Sequence, residues 1–142
     1  MSTVTTVMSN KPEELVRAQT LLEEFAEASE LPGDVVFALN VVLDEIVSNI
    51  LKFAYPEPAE GEIRLRLTAA ADRVEMEIED DGPAFDPLGL PPPDVGASLA
   101  ERQVGGLGVH LVRRLMTDVA YERDGDINRL RLRKVWSGTA RT

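Results

Sequence analysis

Gly61-Glu62-Ile63-Arg64-Leu65-Arg66-Leu67-Thr68-Ala69-Ala70-Ala71-Asp72-Arg73-Val74-Glu75-Met76-Glu77-Ile78-Glu79-Asp80-Asp81 is where the chain changes its period. Ile63, Leu65 and Leu67 alternate with charged or polar residues, and Val74, Met76 and Ile78 repeat the pattern after the Ala71-Asp72-Arg73 turn. That alternation predicts an antiparallel hairpin with one dry face and one wet face. Upstream the period is helical. Ser9-Asn10-Lys11-Pro12-Glu13-Glu14 reads as a helix start: a polar cap, an early proline, then acids near the positive end of the dipole. Leu15, Ala18, Leu22, Phe25 and Ala26 carry that helix to about Ser29. Pro32-Gly33-Asp34 opens a second, longer helix to Ala54, which Pro56 and Pro58 stop.

The remaining elements follow the same logic. Thr3–Met8 is short and rich in β-branched residues, an opening strand. From Asp86 to Val104 the chain is rich in proline and glycine, and a loop of this length inside a domain is functional or disordered. A third helix is expected from about Leu107 to Met116. Two strands close the chain, near Asp118–Arg123 and Asn128–Val135, joined by Asp124-Gly125-Asp126. The order β-α-α-β-β-loop-α-β-β predicts an α/β two-layer sandwich, a mostly antiparallel mixed sheet with helices on one face. Residues 1–142 read as one domain, without internal repeat or linker.

Bulk composition narrows the chemistry. With 44% hydrophobic residues the chain can build a core. No apolar stretch is long and clean enough for a bilayer, and Met1–Val7 lacks the pattern of a signal peptide, so a cytoplasmic protein is the expectation. The absence of cysteine excludes disulfides, thiolate metal sites and a cysteine nucleophile. A net charge of −10 argues against nonspecific nucleic-acid binding. The basic residues Arg129, Arg131, Arg133 and Lys134 alternate with Leu130, Leu132 and Val135, as on the solvent face of a strand. His110, the single histidine, cannot form a multi-histidine metal site and reads as a helix-face residue.

Three motifs carry possible chemistry. On the second helix, Glu45, Asn49 and Lys52 share a narrow stripe: a carboxylate, an amide and an ammonium suited to a base, a hard-metal ligand and a phosphate contact. An ordinary amphipathic helix gives the same pattern. At the end of a strand, Asp80 can accept a hydrogen bond from an exocyclic amine such as that of adenine. Gly82 and the small Ala84 would let a flat base approach. An acidic turn with Phe85 packed on the core is the plain alternative. Third, Gly105-Gly106-Leu107-Gly108 runs directly into a helix, where exposed N–H groups and the dipole favour phosphate. The spacing fits neither the dinucleotide fingerprint nor the P-loop. Together the three describe a base and metal ligand, an adenine reader and a phosphate cradle.

Glu45-x-x-x-Asn49, Asp80-x-Gly82-x-Ala84-Phe85 and Gly106-x-Gly108 resemble the asparagine box and the two glycine boxes of the gyrase, heat-shock chaperone, histidine kinase and MutL (GHKL) ATPase superfamily. The resemblance covers nearly the whole chain. Phe85-Asp86-Pro87 narrows it to stand-alone anti-sigma-factor serine/threonine kinases. It implies a Bergerat-type ATP-binding fold with ATP and Mg²⁺ as cofactors. Glu45 would be the general base, Asn49 the Mg²⁺ ligand, and Lys52 a neighbour of the phosphates. Asp80 would bond the adenine amine, with Gly82, Ala84 and Phe85 shaping its pocket. Residues 86–104 would form the ATP lid. Gly105, Gly106, Leu107 and Gly108 would contact the phosphates, and Asn128 would stand behind the adenine.

Two departures stand out. Ala84 replaces a glycine. The arginine often found just before the second glycines is displaced, leaving Arg102 on the lid as a substitute. The implied activity is phosphorylation of a serine or threonine on an anti-anti-sigma antagonist, with sequestration of a sigma factor. A homodimer is compatible with that analogy. The displaced arginine motivates a rival, a non-catalytic ATP/ADP-gated protein-binding module.

Overall fold

The computed structural model describes residues 1–54, 61–86 and 106–136. The lid call at 86–104 lies outside them apart from Asp86, and so do Arg102 and Gly105. Described are β1 (Ser2–Ser9), α1 (Glu14–Ala28), α2 (Gly33–Asn49), a π-helical turn (Ile50–Ala54), β2 (Glu62–Ala69), β3 (Arg73–Asp80), α3 (Gly106–Leu115), β4 (Asp118–Asp124) and β5 (Ile127–Val135). Of Gly106–Val109 the backbone alone is described.

The expected two-layer sandwich is present. Its five strands lie in the order β1-β2-β3-β5-β4, and every neighbouring pair is antiparallel. Register places Ile63, Leu65 and Leu67 of β2 beside Asp80, Ile78 and Met76 of β3 on one face. Leu130 and Leu132 of β5 continue that face, and all of these apolar residues are buried. Helix α2 packs between α1 and α3. It therefore buries Val35, Leu39, Val42, Leu43, Ile46 and Val47, a wider apolar surface than a helix with one dry stripe.

The other sheet face is a grid of ion pairs. Glu79 lies between Arg64 (3.5 Å) and Arg129 (2.5 Å), and Glu77 between Arg66 (3.7 Å) and Arg131 (3.1 Å). Arg133 pairs with Asp118. The arginines of β5 are thus neutralised in place. Lys134 departs from the expected solvent face. It lies on the helix side, where its Nζ donates to the carbonyl of Leu115 at 2.6 Å and satisfies an orphan acceptor at the end of α3.

Two further departures are local. Helix α1 ends with Glu30 at φ +54°, where glycine is usual. The amide of Leu31 bonds to Ala26 O, and that of Glu30 to Glu27 O, a Schellman closure built without its glycine. The second helix does reach Ala54, but its last five residues are π-helical. Each residue there turns the chain through less than the roughly 100° of an α-helix. Lys52 consequently lags behind the stripe that an unbroken helix would give it, and it is exposed.

Connectivity decides which residues share an end of the sandwich. β1 finishes where β2 begins, with Ser9 opposite Glu62 and the amide of Asn10 bonded to Gly61 O at 3.1 Å. α1 starts there and runs back along β1: Glu14 accepts from the Ser9 amide, and Arg17 donates to Val7 O. The tight turn after α1 sends α2 the other way, so its C-terminal residues return to the first end. α3 finishes at the opposite end, where the Thr117 amide bonds to Arg133 O at 2.7 Å. That directs Gly106 toward the first end, where β3 finishes at Asp80 and β5 begins.

Candidate active site

The three sequence motifs therefore converge on one end of the sandwich: the close of α2, the close of β3 and the start of α3. Asn49 is 2% exposed, in spite of its polar side chain. Its Nδ2 donates to Glu45 Oε2 at 3.0 Å, one helical turn back. The bond fixes the amide, assigning nitrogen to Glu45 and turning Oδ1, a hard oxygen donor, away from it. Among the described residues no cluster of three or more His, Cys, Asp or Glu could hold a metal ion by itself. The donor set fits an ion that keeps waters and bridges phosphates, as Mg²⁺ does, and Asn49 is the residue that would hold it.

Asp80 is 3% exposed, at the end of the middle strand of the sheet. Its Oδ1 accepts from the Gly82 amide (3.0 Å) and from Asn128 Nδ2 (2.9 Å). The first bond closes a tight turn after β3, and Gly82 is itself buried. Among the described residues no donor reaches Oδ2, which leaves that oxygen to accept from a ligand. Phe85 packs against the core, as the plain reading of this turn required, while its amide bonds to Asn128 Oδ1 at 3.1 Å. Ala84 is exposed at the rim. The start of α3 brings the backbone of Gly106, Leu107 and Gly108 to the same end, with N–H groups suited to an anion. His110, on the outer surface of α3, is exposed and is a helix-face residue.

Two residues of this site escaped the sequence reading. Tyr121 donates its hydroxyl to Asn128 Oδ1 at 2.5 Å, and Arg123 Nη1 donates to Gly82 O at 2.8 Å. Both lie on the helix side of β4, where alternation with Val119 is the only sequence signal. Their relation to Asp80 passes through the β4–β5 register, in which Arg123 faces Asn128. A hollow of about 240 Å³ lies on the opposite sheet face, lined by Glu75, Glu77, Asp118, Arg131 and Arg133 among others. Arg131 is ion-paired with Glu77 there, and Arg133 with Asp118.

Burial raises the pKa of Asp80 above its ordinary 3.8, and neighbouring Asp81 adds to the rise; the bonds from Asn128 and Gly82 and the charge of Arg123 oppose it. An exocyclic amine on Oδ2 favours the ionised carboxylate, so ligand binding and protonation compete. Affinity for an amine-bearing base is expected to hold at neutral pH and to weaken as pH falls through the raised pKa of Asp80. Calorimetric titrations across that range, on protein that remains folded by circular dichroism, would check this; a flat profile would remove Asp80 from the contact.

The family described as histidine kinase-like ATPase domain matches residues 8–134. A protein named serine/threonine-protein kinase BtrW, from Bordetella bronchiseptica, is 32% identical over 111 residues, 78% of each chain. Serine-protein kinase RsbW of Listeria monocytogenes is 26% identical over 129 residues, covering 88% of this chain and 82% of its own. The protein of that name from Bacillus subtilis is 28% identical over 98 residues, 66% of this chain and 61% of its own.

Proposed function

Because the chain belongs to the histidine kinase-like ATPase domain family, we propose that it is an ATP-dependent serine/threonine protein kinase acting as an anti-sigma regulatory factor. Its substrate is an anti-anti-sigma antagonist protein, and its second partner is a sigma factor. The observation that carries the reading is the convergence of a buried Asn49–Glu45 pair, a buried Asp80 and the start of α3 on one end of the fold. Relatives named as serine-protein kinases support turnover over the rival, a nucleotide-gated module without chemistry.

In this reading Asp80 accepts the adenine amine, and Gly82, Ala84 and Phe85 shape the rim of its pocket. Asn49 holds Mg²⁺, which when bound neutralises phosphate charge. The N–H groups of Gly105, Gly106, Leu107 and Gly108 take the phosphates, aided by Lys52 and, from the lid, Arg102. Asn128 stands behind the base. Glu45 accepts the proton of the substrate hydroxyl as its oxygen bonds to the γ-phosphorus. The bond from that phosphorus to the β–γ bridging oxygen breaks, and ADP leaves.

No described helix is long and apolar enough to cross a membrane. A cytoplasmic location and a homodimer belong to the same proposal. Incubation with γ-labelled ATP and each small antagonist domain encoded in the same genome tests it. Label on a serine or threonine of one of them is expected. ATP bound with no label passed to any would defeat the kinase reading.

A further inference from the structure

Asn128 is 2% exposed and every polar atom of its side chain is engaged. Oδ1 accepts from Tyr121 Oη at 2.5 Å and from the Phe85 amide at 3.1 Å. Nδ2 faces three acceptors: Asp80 Oδ1 at 2.9 Å, Pro83 O at 2.9 Å and Gly82 O at 3.4 Å. A backbone amide can only donate, and carboxylate or carbonyl oxygens can only accept. The amide therefore has one permitted orientation, and reversing it would set donor against donor at Phe85 and acceptor against acceptor at Asp80. Nothing is left over for direct contact with a nucleobase. Asn128 ties the end of β3, the turn after it and β4 into one unit.

We propose that Tyr121 and Asn128 form a positioning pair that locks the Asp80 carboxylate, and that this lock sets the preference for a 6-aminopurine over a 6-oxopurine. The proposal rests on the nucleotide reading above. A carboxylate free to turn can follow the N1–H of a 6-oxopurine and accept from it in place of the missing amine. A carboxylate whose Oδ1 is held by Gly82 N–H and Asn128 Nδ2 cannot turn, so its Oδ2 meets the oxo group with lone pairs opposed. Rigidity behind the acid supplies discrimination that the acid alone does not.

Tyr121→Phe removes one hydroxyl and keeps the ring that packs against the core. ATP and inosine triphosphate, titrated calorimetrically, are the probes. The wild type is expected to prefer ATP. The variant should lose about tenfold of that preference, chiefly through tighter binding of inosine triphosphate.

Asn128→Asp gives a second, independent arm. When ionised, that side chain sets a carboxylate against Asp80 Oδ1, Gly82 O and Pro83 O; when protonated, it donates to Asp80 as the amide did. Tyr121, Asp81 and Arg123 are the other ionisable groups facing this site, with Arg123 donating to Gly82 O. ATP affinity of Asn128→Asp should therefore recover on mild acidification, opposite to the wild type, while Asn128→Leu should not recover.

A folded Tyr121→Phe that keeps the full ATP preference, or an Asn128→Asp whose pH profile parallels the wild type, overturns the positioning pair and leaves the nucleotide reading intact. A wild type that binds neither nucleotide overturns both.

Discussion

Glu45→Gln is expected to abolish label transfer to a protein serine or threonine while ATP remains bound. Glutamine keeps an oxygen for Asn49 Nδ2, so the bond now 3.0 Å long survives and Asn49 Oδ1, the oxygen proposed to hold Mg²⁺, stays where it is. What is lost is the ability to take a proton. General-base catalysis is worth about 10²–10⁴-fold, and kcat should fall by that order. Glu45→Ala is the informative contrast. It removes the base and also releases the Asn49 amide, so affinity for Mg²⁺-ATP should fall with kcat. A split between the two variants in ATP affinity, measured calorimetrically, would assign Glu45 both a chemical and an orienting role. Label transfer by Glu45→Gln at the wild-type rate would remove it from catalysis.

The second large effect is expected at Asp80→Asn. The new amide oxygen can accept the bonds from Gly82 N–H and Asn128 Nδ2, which turns its NH₂ group toward the ligand. An adenine amine then meets a donor where it needs an acceptor. ATP affinity should fall about 10- to 100-fold, the loss of a hydrogen bond to a charged group. Inosine triphosphate, which presents an oxo group, should gain.

Stability should move the other way. Burial raises the folded-state pKa of Asp80, so the ionised side chain is a liability that appears as pH rises through that value. A neutral isostere removes the liability, and the nucleotide-free variant should melt no lower than the wild type at neutral pH. A variant that loses ATP binding together with its thermal midpoint would mean a damaged fold and not a lost contact.

Much of this was legible because period-two and helical patterns report burial directly. The alternation of Ile63 to Ile78 fixes which face of the hairpin is dry, and the register in the structure agrees residue by residue. Asp80, Glu45 and Asn49 are legible as candidates because their residue types and spacing are themselves chemical statements. Tyr121 is not, because its place depends on β4 folding back on β5, and no local property of a half-buried tyrosine announces that its hydroxyl meets Asn128. An unbroken α-helix through Ala54 puts Lys52 on the stripe, and the π-helical turn has no signal of its own in Ile50-Leu51-Lys52-Phe53-Ala54. Charge alone groups Lys134 with its arginine neighbours, although its odd-even position sets it on the helix side, where the end of α3 needs a donor. Glu30 in a left-handed conformation belongs to the same class, since a glycine there would have been read as a helix stop.

The central claim is that one end of this fold is built to take Mg²⁺-ATP by its adenine amine. A calorimetric titration of the wild type with ATP and then with inosine triphosphate, both in Mg²⁺, tests it most directly, because the two ligands differ only at the base. ATP binding at least about tenfold tighter than inosine triphosphate is the expected result, the worth of one charge-assisted hydrogen bond. Equal affinities, or no binding of ATP, would contradict it.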